Sequence, residues 1–67
     1  MMQRIHIESA KAAEKTQQYL LLQGFSSFIL NNGCKYKNGK ILEAKEAGIE
    51  LAQGYLGLMG AEYSFEM

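Results

Sequence analysis

The chain states one phrase twice: residues 14–24 read EKTQQYLLLQG, and residues 50–60 read ELAQGYLGLMG. The two copies share Glu, Gln, Tyr, Leu, Leu and Gly at the same relative places. Each copy ends in a glycine and runs into a short stretch that contains aromatic residues. Glycine readily takes the left-handed conformation that closes a helix. The phrase therefore predicts two equivalent joints, at Gly24 and Gly60, where a helix ends and a strand follows.

The first strand is predicted at residues 2–7. Ile5 and Ile7 alternate there with Arg4 and His6, which is the pattern of a strand with one buried and one wet face. Ser9 suits the N-cap of the helix that follows, because its hydroxyl can accept from a first-turn amide. The buried stripe of this helix is predicted at helical spacing, and it consists of Ala12, Ala13, Thr16, Tyr19 and Leu20.

The middle of the chain leaves two interpretations open. The segment from Phe25 to Leu30 predicts a second strand, Asn32-Gly33 is a strong hairpin signal, and residues 34–37 would return antiparallel. Asn38-Gly39 is a second hairpin signal. Either it leads directly into the second helix, or residues 40–43 are themselves extended. The repeat favours extension, whereas the helical spacing of apolar residues from Ile41 onward favours helix. We place the start of the second helix between Leu42 and Lys45.

The second helix carries three glycines, Gly48, Gly54 and Gly57, and each costs about 1 kcal/mol relative to alanine. Either a close neighbour repays this cost or these are tolerated weak positions. Beyond the helix, residues 61–67 alternate between large apolar side chains and polar ones, which predicts a last strand running to Met67.

The predicted order is strand, helix, strand, strand, helix, strand. Right-handed crossovers then place both helices on one face of an antiparallel sheet. We therefore predict a single α+β domain over residues 1–67, a small ferredoxin-like βαββαβ sandwich. The first and last strands are neighbours in that fold, so Arg4 and His6 are expected opposite Glu62 and Glu66.

Length and composition narrow the class of protein. A chain of 67 residues buries one small core, and chains of this size are commonly stabilised by disulfides, metals or association. With a single cysteine and a single histidine, neither an internal disulfide nor a closed four-ligand zinc site is expected, so association remains. We predict no metal, no cofactor, no membrane span or secretory signal, and a cytoplasmic location.

Catalysis is not expected. The chain has one histidine, His6, and no aspartate, and its serines lie in no nucleophile motif. A strand histidine opposite glutamates is far more often part of a surface ion pair than a general base. Cys34 beside Lys35 could be activated, but a small half-buried apolar residue is the commoner case.

The best candidate for a binding site is the segment 31–40, NNGCKYKNGK, predicted as a protruding basic hairpin. It has three lysines, one tyrosine and no acidic residue, and its candidate contact residues are Lys35, Tyr36, Lys37 and Lys40. Such a hairpin offers an aromatic anchor ringed by positive charge. The alternative is that its lysines serve only to keep a sheet edge from pairing with other chains. The exposed sheet edges are a second contact route, including for a homodimer.

We therefore predict a non-catalytic interaction module that binds a protein partner through the basic hairpin or a sheet edge. Small chains without active-site chemistry are common among phage and mobile-element accessory or inhibitor proteins. Two alternatives remain: contact with nucleic acid through the lysines, and a dimeric regulatory domain that senses a small molecule. A formal net charge of zero disfavours broad nucleic-acid affinity.

Overall fold

The computed structural model describes residues 2–66 and contains the predicted order of elements. The strands are β1 (Met2–Ile7), β2 (Phe28–Asn31), β3 (Lys40–Lys45) and β4 (Tyr63–Phe65), and the helices are α1 (Ala10–Leu22) and α2 (Glu46–Met59). The sheet order is β2-β3-β1-β4, and every neighbouring pair is antiparallel. The prediction of an α+β ferredoxin-like sandwich is confirmed.

The core lies between the helices and the inward face of the sheet. Ile5 of β1 pairs with Leu42 of β3 on one side and with Phe65 of β4 on the other, so these side chains share the inward face. Ile5, Ile7 and Leu42 are fully buried. β3 also contributes Ala44, and the helices contribute the remainder, namely Ala12, Ala13, Leu20, Ile49, Ala52 and Leu56.

The helix ends follow the sequence prediction closely. Ser9 caps α1, because its Oγ accepts from the Ala12 N–H over 3.2 Å. Gln23 follows as the C-cap, and Gly24 then takes a left-handed φ of 79°. Gly60 closes α2 with a φ of 72°. Both helix-to-strand joints therefore have the same local geometry, as the repeated phrase predicts.

The second strand begins later than predicted, at Phe28 rather than Phe25. The reason is that Phe25 packs against the core and lies directly over Gly48 of α2. A Cβ on Gly48 would lie 2.5 Å from the Phe25 ring. One helix glycine therefore has the close neighbour that the sequence suggested, whereas nothing lies within 4 Å of a Cβ built on Gly54 or Gly57.

The return strand was wrongly predicted at residues 34–37, and it is β3, which starts at Lys40. Helix α2 starts at Glu46, one residue beyond the predicted interval. Residues 40–45 are extended and not helical, because β3 is a central strand that pairs with β1 on one side and with β2 on the other. The last strand is also shorter than predicted, since β4 covers Tyr63–Phe65, and Met67 lies outside the described residues.

Candidate functional site

The basic segment does not protrude as predicted but folds back onto the protein. Its loop, residues 32–39, joins β2 to β3 and lies against the ends of β1 and β4. Gly33 has a φ of 90°, which favours glycine. Gly39 passes so close to the backbone that a Cβ there would overlap the carbonyl oxygen of Ile7. Both glycines therefore have conformational or steric reasons to be glycine.

Backbone and thiol contacts hold this loop to the start of α1. The Asn38 carbonyl accepts from the Ala10 N–H over 2.8 Å. The Cys34 Sγ donates to the Ile7 carbonyl over 3.6 Å and accepts from the Tyr36 N–H over 3.4 Å. Cys34 is half-buried and acts as a small polar link inside the loop.

The His6 ring is the main side-chain anchor of the loop. His6 is only 8% exposed, and the Lys35 N–H donates to its Nδ1 over 3.0 Å. Because Nδ1 accepts, it carries no proton, and the proton of the neutral ring lies on Nε2. Nε2 then donates to Oε1 of Glu66 over 3.1 Å. The one histidine of the chain thus connects the loop to the end of the sheet.

An ion-pair chain continues from His6 across the outward face of the sheet. Glu66 accepts from Arg4 over 3.0 Å through its second oxygen, and Arg4 also lies 3.8 Å from Glu43. These hydrogen bonds, first from Arg4 and then from His6, lower the pKa of Glu66, and the bond to Glu66 raises the pKa of Arg4. The expected pairing of Arg4 and His6 with Glu66 is confirmed. Glu62 instead contributes its backbone carbonyl, which accepts from the Glu8 N–H.

The four predicted contact residues are divided between loop and strand. Lys35 and Lys37 are exposed on the loop, and Tyr36 is half-buried between them. The Tyr36 hydroxyl bonds Ser64 Oγ on β4 over 3.3 Å, and the Lys35 ammonium lies 5.3 Å from the Tyr36 ring centroid. Lys40 is the first residue of β3, and its ammonium donates to the Asn32 side chain over 3.0 Å. Tyr36 is therefore fixed to the sheet and is not a free anchor.

A second surface was missed from the sequence, on the side of the helices that faces away from the sheet. The rings of Tyr19 and Tyr55 stack there, with centroids 4.5 Å apart and planes 5° from parallel. Leu22 is 84% exposed and Leu58 is 88% exposed. The repeated phrase contains both pairs at matching positions, so it carried the signal for this surface. We call the set Tyr19, Leu22, Tyr55 and Leu58 the helix-face patch.

Within residues 2–66, no three His, Cys, Asp or Glu side chains are grouped so that they could hold a metal ion. Neither helix in this part of the chain is long and apolar enough to cross a membrane. Comparison with protein-family models, with curated proteins and with solved structures finds no match for this chain. No known family therefore gives a guide to the function of this chain.

Proposed function

We propose that this protein is a non-catalytic module that binds another protein, with the loop of residues 32–39 presented to an acidic surface of that partner. The supporting observation is the anchoring of the loop. Its backbone is bonded to His6 and Ala10, while the Lys35 and Lys37 side chains remain exposed. A surface held in one shape before binding loses less conformational entropy when its partner arrives.

The charge distribution favours an acidic partner of limited size. Lys35 and Lys37 supply positive charge at the loop, and complementary charge raises association rates and selects partners. The neighbouring outward face of the sheet carries Glu43 and Glu66, which are bound to Arg4. The sugar-phosphate backbone of a long nucleic acid laid across this face would approach both carboxylates. A local acidic patch on a protein avoids them, and for this reason a protein partner fits better than nucleic acid.

The edge strand β2 is a second contact route within the same proposal. β2 leads directly into the loop, and its outward residue Ile29 is 48% exposed. A partner strand added along this edge would bring its side chains beside the loop. One partner could therefore use the strand edge for backbone hydrogen bonds and the loop lysines for specificity.

Two charge-reversal variants test this proposal. There are two probes: poly-L-glutamate, which is an acidic peptide, and a DNA duplex. Each is titrated at several salt concentrations. We expect the peptide to bind the natural chain and Lys37→Glu to weaken that binding at least fivefold. Lys45→Glu is the matched control, because Lys45 is also exposed and lies at the opposite end of β3 from the loop.

The outcomes separate the candidate functions. Equal losses in Lys37→Glu and Lys45→Glu would show only general charge attraction and would contradict the proposal. Tighter binding of the DNA duplex, with an affinity that falls steeply with salt and is lost in Lys37→Glu, would favour the nucleic-acid alternative.

A further inference from the structure

The burial of His6 depends on the loop of residues 32–39. His6 lies on the outward face of β1, because the isoleucines on either side of it are fully buried in the core. Its partners on the adjacent strands are Ile41 of β3 and Ser64 of β4, and neither side chain titrates. The helices pack on the other face of the sheet, so the loop is the element that covers the ring. His6 is therefore buried as long as the loop is in place.

The contact between the loop and the ring requires a neutral ring. The Lys35 N–H donates to Nδ1 over 3.0 Å, so Nδ1 must offer its lone pair. An imidazolium carries a proton on both nitrogens and accepts at neither. Protonation of His6 would therefore set two N–H groups against each other, and a donor that loses its partner away from water is costly. The loop in its observed position excludes the charged ring.

Glu66 attracts the proton that the loop excludes. Its Oε1 accepts from Nε2 of His6 over 3.1 Å, and such a bond becomes stronger when the donor is charged. Arg4, which is bonded to the other oxygen of Glu66, offsets part of this attraction. Glu66 follows β4 and does not belong to the loop, so its contact with the ring persists when the loop moves away. The sheet therefore retains a charged ring that the loop cannot hold.

Among the described residues around the ring, no other side chain is of a type that changes charge near pH 6. In model peptides carboxylic acids titrate near pH 4, and thiols, phenols and ammonium groups above about pH 8, whereas histidine titrates between about pH 5 and 8. Glu66 stays ionised in that range, because the hydrogen bonds from Arg4 and then from His6 lower its pKa. The charged and titratable side chains on the surrounding elements are Arg4 of β1, Glu43 of β3, Glu8, Glu62 and Glu66 beside the strand ends, and Cys34, Lys35, Tyr36 and Lys37 of the loop.

We propose that His6 is a pH-sensitive switch of the loop: the neutral ring holds residues 34–37 against the sheet, and protonation between about pH 7 and 5 releases them. The anchored loop excludes a proton that the released loop admits. The ratio of anchored to released loop therefore falls by up to about tenfold for each pH unit below the titration of the released ring. The contact of Asn38 with Ala10 does not involve the ring, so the loop remains attached there.

NMR of the free chain between pH 7.5 and 5.2 tests this proposal, because it reports the ring nitrogens and the Lys35 amide in one sample. At pH 7.5 we expect the nitrogen shifts of the Nε2–H tautomer, and at pH 5.2 those of an imidazolium. The protection factor of the Lys35 amide, which corrects for the intrinsic effect of pH on exchange, should fall by about tenfold or more. The Leu42 amide of the central strand β3 should keep its chemical shift, which shows that the sheet persists.

Three variants assign the effect to the ring. His6→Asn keeps an acceptor near the position of Nδ1 and does not titrate, so its Lys35 protection factor should differ less than twofold between the two pH values. Glu66→Gln removes the carboxylate that attracts the imidazolium, so the midpoint of release should fall by about half a pH unit. Glu62→Gln is the matched control, because it removes the same charge from a residue whose side chain does not bond the ring.

Three outcomes overturn the proposal. The first is a ring that gains its proton while the Lys35 amide stays protected, because the anchored loop would then hold a charged ring. The second is a ring that stays neutral down to pH 5.2. The third is an equal loss of protection in the natural chain and in His6→Asn, which would assign the change to another group. All of these measurements are made without a partner, so a failure of poly-L-glutamate to bind leaves them unaffected.

Discussion

The backbone N–H of Lys35 donates to Nδ1 of His6 over 3.0 Å, and this bond ties the basic loop to the end of β1, one of the two central strands of the sheet. The one histidine of the chain makes a structural contact. The other ring nitrogen is bonded to Glu66, so the ring has no nitrogen left for another partner. The loop lysines are therefore displayed from a fixed backbone, which is the basis of the proposed function.

The two nitrogens of His6 can be tested separately with amide substitutions. His6→Asn retains an acceptor near the position of Nδ1, whereas His6→Gln retains a donor near that of Nε2. We expect His6→Gln to leave the Lys35 N–H unsatisfied and to cost about 1–3 kcal/mol of unfolding free energy, because a buried donor without a partner is expensive. His6→Asn should cost less. Hydrogen exchange of the Lys35 amide is the direct measurement, and equally slow exchange in both variants would contradict the anchoring role.

Acid should destabilise the fold through Glu66. The pKa of Glu66 is lowered, first by the hydrogen bond from Arg4 and then by that from His6. Its ion pair with Arg4 and its hydrogen bond from His6 therefore add stability above the unfolded-state pKa of Glu66, and that stability is lost as the pH falls through the lower pKa of the folded state. We expect Glu66→Gln to flatten the dependence of the melting temperature on pH below about pH 4.5, the ordinary glutamate value.

The control for that effect is Glu62→Gln, since Glu62 contacts Glu8 through its backbone carbonyl. This variant should follow the pH profile of the natural chain. Added salt should narrow the difference between Glu66→Gln and the natural chain, because Glu66 is exposed and its charge interactions are screened. Identical pH profiles for both glutamine variants at low salt would show that Glu66 does not cause the loss of stability in acid.

Two glycines of α2 should respond to alanine in opposite directions. Gly48→Ala places a methyl group against the Phe25 ring, and overpacking of this kind typically costs about 1–3 kcal/mol. Gly54→Ala meets open space, so it should stabilise by up to about 1 kcal/mol through helix propensity. Urea unfolding measures both changes. A neutral Gly48→Ala would show that Phe25 is free to move away.

The loop glycine Gly39 should be the least tolerant of substitution in the basic segment. A methyl group there would overlap the Ile7 carbonyl and press on Cys34 Sγ. We expect Gly39→Ala to displace the loop and to accelerate exchange of the Lys35 and Tyr36 amides. Asn38→Ala is a fitting control, because the Asn38 contact with Ala10 uses the backbone carbonyl. Equal exchange rates in the two variants would argue against the close approach at Gly39.

Local patterns predicted the parts of the fold that depend on neighbouring residues. The alternation of Ile5 and Ile7 fixed the face of β1, and Gly24 and Gly60 marked both helix ends correctly. The start of β3 was harder, because residues 40–45 satisfy strand and helix patterns alike. The pairing that decides between them comes from β1 and β2, which are distant in sequence. The sequence pattern predicts Phe25 as part of a strand. Its packing against Gly48 of α2 gives no local signal, because Gly48 is distant in sequence.

The composition of the candidate site could be predicted from the sequence, but its shape could not. The excess of lysine at residues 35–40 is evident from the sequence. The folding back of the loop depends on His6 and Ser64, which lie on two different strands and give no local signal. The helix-face patch was encoded in the repeat, where Leu22 and Leu58 occur at matching positions. The repeat does not show that these two leucines are exposed, because their exposure depends on which face of each helix packs against the sheet.

The central claim is that the anchored loop is the surface that contacts an acidic protein partner. The most direct test is a two-dimensional NMR titration of the natural chain with poly-L-glutamate. We predict that the largest amide shifts fall on Lys35, Tyr36 and Lys37, and that Lys37→Glu removes them while Lys45→Glu retains them. Shifts centred on the helix-face patch, or spread evenly over all exposed lysines, would contradict the claim.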